Sequence, residues 1–240
     1  MKKQQKTVVL GLSGGVDSSV AAFLLKKQGY KVIAVFMKNF SDTKDPITGE
    51  CSYLKEKKMA QKIATILEIP FITLDYEKQY KKEVVNYLFK SYKQGFTPNP
   101  DVLCNKSIKF PALWKIARRL KADYIATGHY ARIVKTRNRF SLYRPKDNFK
   151  DQTYFLSDLS QDDLSHTIFP LNNLTKSQVR EIAKKTSILS SLYSFNCQTN
   201  TSIKVTLATW RANRAKAINS STCSIFIDYL TDKILYRFDK

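Results

Sequence analysis

The 240 residues carry 41 Lys and Arg against 20 Asp and Glu, a formal charge of +21, and 43% of them are apolar. That apolar fraction excludes a wholly disordered chain, and the cationic excess points to a polyanionic partner, most simply a nucleic acid. Cys51, Cys104, Cys197 and Cys223 stand far apart with no CxxC, which argues against a local zinc knuckle and a disulfide framework.

Residues 7–12 form a β-branched apolar run that predicts a buried strand, and 17–27 predict a helix closed by Gly29. A second strand is expected over 31–37, a polar loop over 40–49, a helix over 52–67 and a third strand over 70–74. A helix follows over 77–92, then a loop over 95–106 stiffened by Pro98 and Pro100, a helix over 110–120 and a fourth strand over 123–126. This alternation predicts an α/β, Rossmann-like parallel sheet with helices on both faces. A hairpin with a basic turn is expected over 133–144. The capping-box pattern Thr175-Lys-Ser-Gln178 starts a helix through Lys184. Beyond it the character changes. No glycine follows Gly128, no proline follows Pro170, and residues 186–202 carry no charge, so the tail predicts no defined fold. No secretory signal opens the chain and no apolar run reaches membrane-spanning length, so a reducing, cytoplasmic setting without membrane contact is expected.

The first strand and helix are joined by Ser13-Gly14-Gly15-Val16-Asp17-Ser18-Ser19. A glycine pair at a helix start lets backbone N–H groups approach an anion, and the helix dipole favours one there. GxxxxGK[ST] and GxGxxG are both absent. Without the loop lysine of β/γ-phosphate transfer, and with the Asp17 carboxylate where Mg²⁺ could bridge phosphates, the loop suits a different cut of a nucleotide. It resembles the SGGxDS motif of PP-loop ATP pyrophosphatases, adenylating enzymes that cut ATP at its α-phosphate and release pyrophosphate. Read locally, Cys104 serves equally as a buried structural thiol or as a reactive one. Lys106, Lys109 and a following helix N-terminus would favour its thiolate.

Five further stretches extend the resemblance in order: "VFMKN" at 35–39, "NPDVLCNKSIKF" at 99–110, "ADYIATGHYAR" at 122–132, "KDQTYFL" at 150–156 and "FPLNNLTKSQVREIAKK" at 169–185. Over residues 6–185 the chain resembles the tRNA-specific 2-thiouridylases of the MnmA type. The resemblance implies a PP-loop adenylation domain over 1–165, the start of a central segment over 166–185 and a divergent tail over 186–240. The family's C-terminal β-barrel domain is expected to be missing, either through an out-of-frame stretch in the gene, favoured by the loss of glycine and charge, or in a genuine short form.

The resemblance further implies ATP, with Mg²⁺ at Asp17, held by Gly11, Leu12, Ser13, Gly14, Gly15, Val16, Asp17, Ser18, Met37 and Gly128. It implies tRNA held by Asn99, Pro100, Asp101, Lys150, Asp151 and Gln152, and a persulfide sulfur-donor protein as second partner. The implied reaction adenylates the C2 oxygen of the wobble uridine (U34). A persulfide sulfur then displaces AMP, and a second thiolate frees the sulfur by forming a disulfide with the donor cysteine. Cys104 is the implied nucleophile. Cys197 lies nearest the persulfide position by spacing, although its neighbours differ from the family's. Asp101 is a possible acid/base, or equally a loop cap. His129 is expected to be structural, and His166 has no evident role. The alternatives are a catalytically impaired ATP- and tRNA-binding remnant and another PP-loop adenylating ligase. The ligase is disfavoured by Cys104 and by the 150–156 segment.

Overall fold

Val8, Val9 and Leu10 are wholly buried, so the strand that contains them, β1 (Thr7–Gly11), must be covered on both faces. The computed structural model describes residues 5–39, 52–137 and 139–186, all within one compact unit. β1 pairs in parallel with β2 (Lys31–Lys38) on one side and β4 (Tyr124–Ala126) on the other. β3 (Phe71–Asp75) and β7 (Thr167–Ile168) complete a five-stranded parallel sheet of order β3-β2-β1-β4-β7. β5 (Arg132–Lys135) and β6 (Phe140–Tyr143) form the expected hairpin.

Successive strand residues point to opposite faces, and the two cores follow that alternation. Val8 and Leu10 pack with α1 (Val16–Lys27), α2 (Ser52–Ile66) and α8 (Lys176–Lys185) through Val20, Leu25, Ile63 and Val179. Val9, Val35 and Ile125 face the other way, onto Phe110, Leu113 and Ala117 of α6 (Phe110–Arg119). β1 leads rightward and leftward at once: β2 and β3 follow on one side, β4 and β7 on the other. The loop after β1 therefore sits at the switch point, where open parallel sheets bind ligands.

Two expectations need correction. Four parallel strands were predicted and five form. β7 has two residues, too few for a period, between the short helix α7 (Gln161–Ser165) and Pro170. The stretch expected as a loop up to residue 106 is helical from Pro100. The helix α3 (Glu77–Tyr80) widens into a π segment (Lys81–Val85) and continues as α4 (Asn86–Lys93). Then α5 (Pro100–Cys104), a second π segment (Asn105–Lys109) and α6 run on without a break. Asn99 starts this helix: its Oδ1 accepts from the N–H groups of Asp101 (2.9 Å) and Val102 (3.3 Å), with Pro100 at the first helical position. Pro111 has no N–H to donate and would press on the preceding turn, and the wider π turn just before it relieves both problems. Read locally, Pro111 marks a helix start; in the folded chain it marks a widened turn.

Candidate active site

Gly15 caps α1 without a side-chain hydrogen bond, so no capping side chain occupies the first-turn N–H groups of α1. Hydroxyls brace the loop from within. Ser18 Oγ donates to the Gly15 carbonyl (3.1 Å) and accepts from the Ser13 N–H (3.2 Å), and Ser19 Oγ donates to the Gly15 carbonyl (2.7 Å). Ser13 Oγ lies 3.1 Å from Ser18 Oγ and accepts from the Gly15 N–H at 3.3 Å. Leu12 is buried in the core and Val16 packs against it, so these two can offer a ligand only backbone. Gly11 ends β1 against Leu113.

Two glycines are required by close approach. Gly14 has φ +85°, and a Cβ there would lie 2.7 Å from the Glu56 carbonyl oxygen of α2. A Cβ on Gly128 would lie 2.8 Å from the Ser18 nitrogen, so the turn after β4 presses directly on the first turn of α1.

Asp17 is held from two distant parts of the chain. Its Oδ1 accepts from the Tyr130 hydroxyl (2.9 Å), and its Oδ2 accepts from Lys176 Nζ (2.6 Å) at the start of α8. An ammonium from α8 thus sits on Asp17 in the first turn of α1. Lys176 went unnoticed in the sequence, although the capping box around it was legible: Thr175 Oγ1 accepts from the Gln178 N–H and the Gln178 side chain accepts from the Thr175 N–H. Each Asp17 oxygen accepts one hydrogen bond, and no group of three metal-ligating side chains occurs among the described residues. The protein thus forms no cage for Mg²⁺, and an ion at Asp17 would be one carried by the phosphates of ATP, beside the Lys176 ammonium.

Met37, at the end of β2, packs against a small cluster of Val84, Leu88, Cys104 and Ile108, with Tyr76 and Tyr80. Cys104 therefore lies at the same carboxyl edge of the sheet as the loop. It is 5% exposed. Burial pushes its thiol above the ordinary range, with Asp101 adding to the rise and Lys109 opposing it. The expectation of a favoured thiolate is thereby corrected. Cys104 ends the first turn of a continuous helix instead of preceding one, and Lys106 is turned away to pair with Asp158 (3.1 Å). Tyr80, pushed up by burial and then by Cys104 and Asp101, is a protonated neighbour.

Asn99, Pro100 and Asp101 form the start of α5, with the Asn99 side chain spent on capping. In the 150–152 segment, Asp151 accepts from Thr153 Oγ1 (2.6 Å) and pairs with Arg144 (3.2 Å). Gln152 Oε1 accepts from the Tyr130 N–H (2.9 Å), which ties the segment to the turn after β4. Asn105 is buried, donates to the Phe155 carbonyl (2.9 Å) and ties the Cys104 helix to that segment; its buried Oδ1 has no partner among the described residues. Cys197 lies outside the described residues.

The two histidines are structural in geometry. His129 Nδ1 lies 2.8 Å from Thr127 Oγ1 and its ring stacks near Phe110, while His166 is buried flat against Trp114. Burial holds the pKa of His129 well below the ordinary imidazole value and lowers that of His166, where Arg118 adds to the fall and Asp162 and Asp163 oppose it. With folded values below the unfolded 6.5, the unfolded chain binds more protons as pH falls. Stability is fully present above about pH 6.5 and is lost below it, by up to about 1.4 kcal/mol per pH unit for His129, whose pKa is held further down, and by less for His166. Urea unfolding at pH 7.5, 6.5 and 5.5 checks this; a flat profile would contradict it.

A parallel α/β sheet with a glycine-rich loop and a helix start at its switch point is the architecture of nucleotide-type domains. The chain belongs to the tRNA methyl transferase HUP domain family, whose model matches residues 6–192. It is 50% identical over 190 residues to a tRNA-specific 2-thiouridylase MnmA from Christiangramia forsetii, covering 78% of this chain and 48% of that protein. It is 53% identical over 177 residues to the protein of the same description from Lactobacillus helveticus, covering 73% and 47%. The chain thus spans about half the length of the curated relatives it matches. Among solved structures, a 4-thiouridine synthetase–RNA complex with bound ATP matches with TM-score 0.53 and 18% identity, over 78% of this chain and 42% of that one. That likeness is one of fold, the PP-loop ATP pyrophosphatase type expected from the sequence. No helix among the described residues is long and apolar enough to cross a membrane.

Proposed function

We propose that this chain is the adenylating part of an ATP-dependent tRNA sulfurtransferase that 2-thiolates the wobble uridine and releases AMP and pyrophosphate. The observation that carries this reading is the shared carboxyl edge of the sheet, where the loop after β1 and the cluster of Met37 and Cys104 end together. The roughly 50% identity to 2-thiouridylases supports the choice of reaction. The first-turn N–H groups of α1 and the Lys176 ammonium receive the phosphates of ATP, with Asp17 and Tyr130 holding that ammonium in place. The uridine C2 oxygen attacks the α-phosphorus and pyrophosphate leaves. A persulfide sulfur, carried by Cys197 and loaded by a donor protein, attacks C2, and AMP leaves with the oxygen. The Cys104 thiolate then attacks the Cys197 sulfur. The C2 sulfur departs as the thiolate of 2-thiouridine, and a Cys104–Cys197 disulfide remains for an external thiol to reduce. Asp101, Lys150 and the cationic surface hold the tRNA in this reading, with Asn99 acting through the helix start that it caps, and the cytoplasm is its setting.

The test is direct. Purified protein, ATP with Mg²⁺, a persulfide donor and unmodified tRNA are incubated, and 2-thiouridine is measured by mass spectrometry. Product supports the reading. ATP binding without product would leave a nucleotide-binding remnant, the second reading, which the uncharged stretch at 186–202 favours. Lys176→Met keeps the apolar stem and removes the charge. It is expected to weaken ATP binding about tenfold, read by calorimetry, because one charge-assisted contact is worth about 1.5–3 kcal/mol.

A further inference from the structure

Between Lys146 and Gln152 the sequence is polar except for Phe149, and that side chain is 99% exposed. A fully exposed phenylalanine on a floppy terminus would mean little, but this one sits on a braced turn. Pro145 and Asp147 are buried on either side of the exposed Lys146. Asp147 Oδ1 accepts from the Phe149 N–H (3.0 Å), and its Oδ2 accepts from the Lys176 N–H (2.7 Å) at the head of α8. The Lys146 N–H donates to the Asn172 carbonyl (2.9 Å), and the Lys150 N–H to the Asp147 carbonyl (3.2 Å). One buried carboxylate thus fixes both the backbone that presents Phe149 and the backbone of Lys176, whose ammonium sits on Asp17 beside the phosphate loop.

The surroundings are cationic. Lys146 and Lys150 lie three residues before and one residue after Phe149 in the chain, Asp147 is held inside the turn, and Asp151 is paired with Arg144. A rigid aromatic face among cations on a strongly basic chain matches an unpaired base with its phosphate backbone. A hydrophobic protein partner needs a contiguous apolar patch, and the stretch from Lys146 to Gln152 offers one apolar side chain among polar and charged residues. We propose that Phe149 is a stacking platform for an unpaired base of the RNA, placed by the Asp147 bridge at a fixed offset from the nucleotide loop. The proposal rests on the tRNA reading above and adds to it a residue that grips an unpaired base.

The experiment measures binding of fluorescently labelled unmodified tRNA by anisotropy at several salt concentrations, for the wild type and for Phe149→Ala, Phe149→Leu and Phe149→Trp. Alanine is expected to weaken binding about tenfold, within the range of about 5- to 150-fold for one stacked base. Leucine should fail similarly, because it is apolar without a π face. Tryptophan should keep the affinity, and its fluorescence should fall on RNA binding. The slope of log affinity against log salt should stay unchanged, since no phosphate contact is removed. Wild-type protein that does not bind tRNA would overturn the RNA reading itself. Wild-type binding with equal affinity for Phe149→Ala, or affinity retained by Phe149→Leu, would overturn the stacking proposal alone. Because the ring is exposed, melting temperatures should not move, so lost affinity reports the contact.

Discussion

Cys104→Ser abolishes thiolation while ATP still binds: that is the expected result if Cys104 resolves the sulfur from its donor. A serine hydroxyl stays protonated at neutral pH and cannot open a disulfide bond, so product formation should fall by about 10³-fold or to background. The hydroxyl would sit among Val84, Leu88 and Ile108, at a stability cost on the order of 1 kcal/mol. ATP titration by calorimetry should be unaltered, because the phosphate loop is built from β1, α1 and α8. Product at the wild-type rate would remove Cys104 from the mechanism. The raised thiol of the wild type adds a second readout. With deprotonation of Cys104 limiting, the rate should rise about tenfold per pH unit from 6.5 to 8.5, and alkylation of Cys104, followed by peptide mass spectrometry, should be slow at neutral pH.

Gly14→Ala is expected to cost far more than Gly29→Ala, although both residues have positive φ, +85° and +86°. The backbone term is common to both, about 1–2 kcal/mol for a Cβ in the left-handed region. At Gly29 nothing lies within 4 Å of the added carbon. At Gly14 the carbon would meet the Glu56 carbonyl oxygen at 2.7 Å and the Ala60 nitrogen at 3.0 Å, both backbone atoms of a helix that cannot rotate away. The loop or α2 must shift, which adds about 1–3 kcal/mol and misplaces the N–H groups that face the phosphates. Denaturant unfolding should separate the two variants by at least about 1 kcal/mol, and ATP binding should fail only in Gly14→Ala. Equal losses would mean that α2 does not press on the loop.

The comparison between residue order and folded chain divides along the range of the interactions. The strand at 7–12, the glycine turn and the helix after it were legible because each depends on neighbours within a few residues: β-branched apolar runs, φ > 0 at Gly14, and a helix start. The capping box at Thr175 was legible for the same reason. The helix from Pro100 was missed because Pro98 and Pro100 read as loop stiffeners, whereas Pro100 serves equally well at the first helical position behind the Asn99 cap. β7 was invisible because two residues have no period, and its partner β4 gives it meaning.

The site divides in the same way. Residue order marked the glycine loop, since turn sterics are local, whereas Cys104 read locally served equally as a structural or a reactive thiol and took a role only from the resemblance. The order alone could not reveal that Lys176 meets Asp17 across 159 positions, or Tyr130 across 113, because those contacts exist only once α8 and the turn after β4 close on α1. Nor could it set the protonation of Cys104. The neighbouring lysines in sequence argued for a thiolate, while the folded environment turns Lys106 toward Asp158 and removes water from the thiol. Local backbone energetics are written in adjacent residues, whereas charge pairing and desolvation depend on which distant segments the sheet topology brings to one edge.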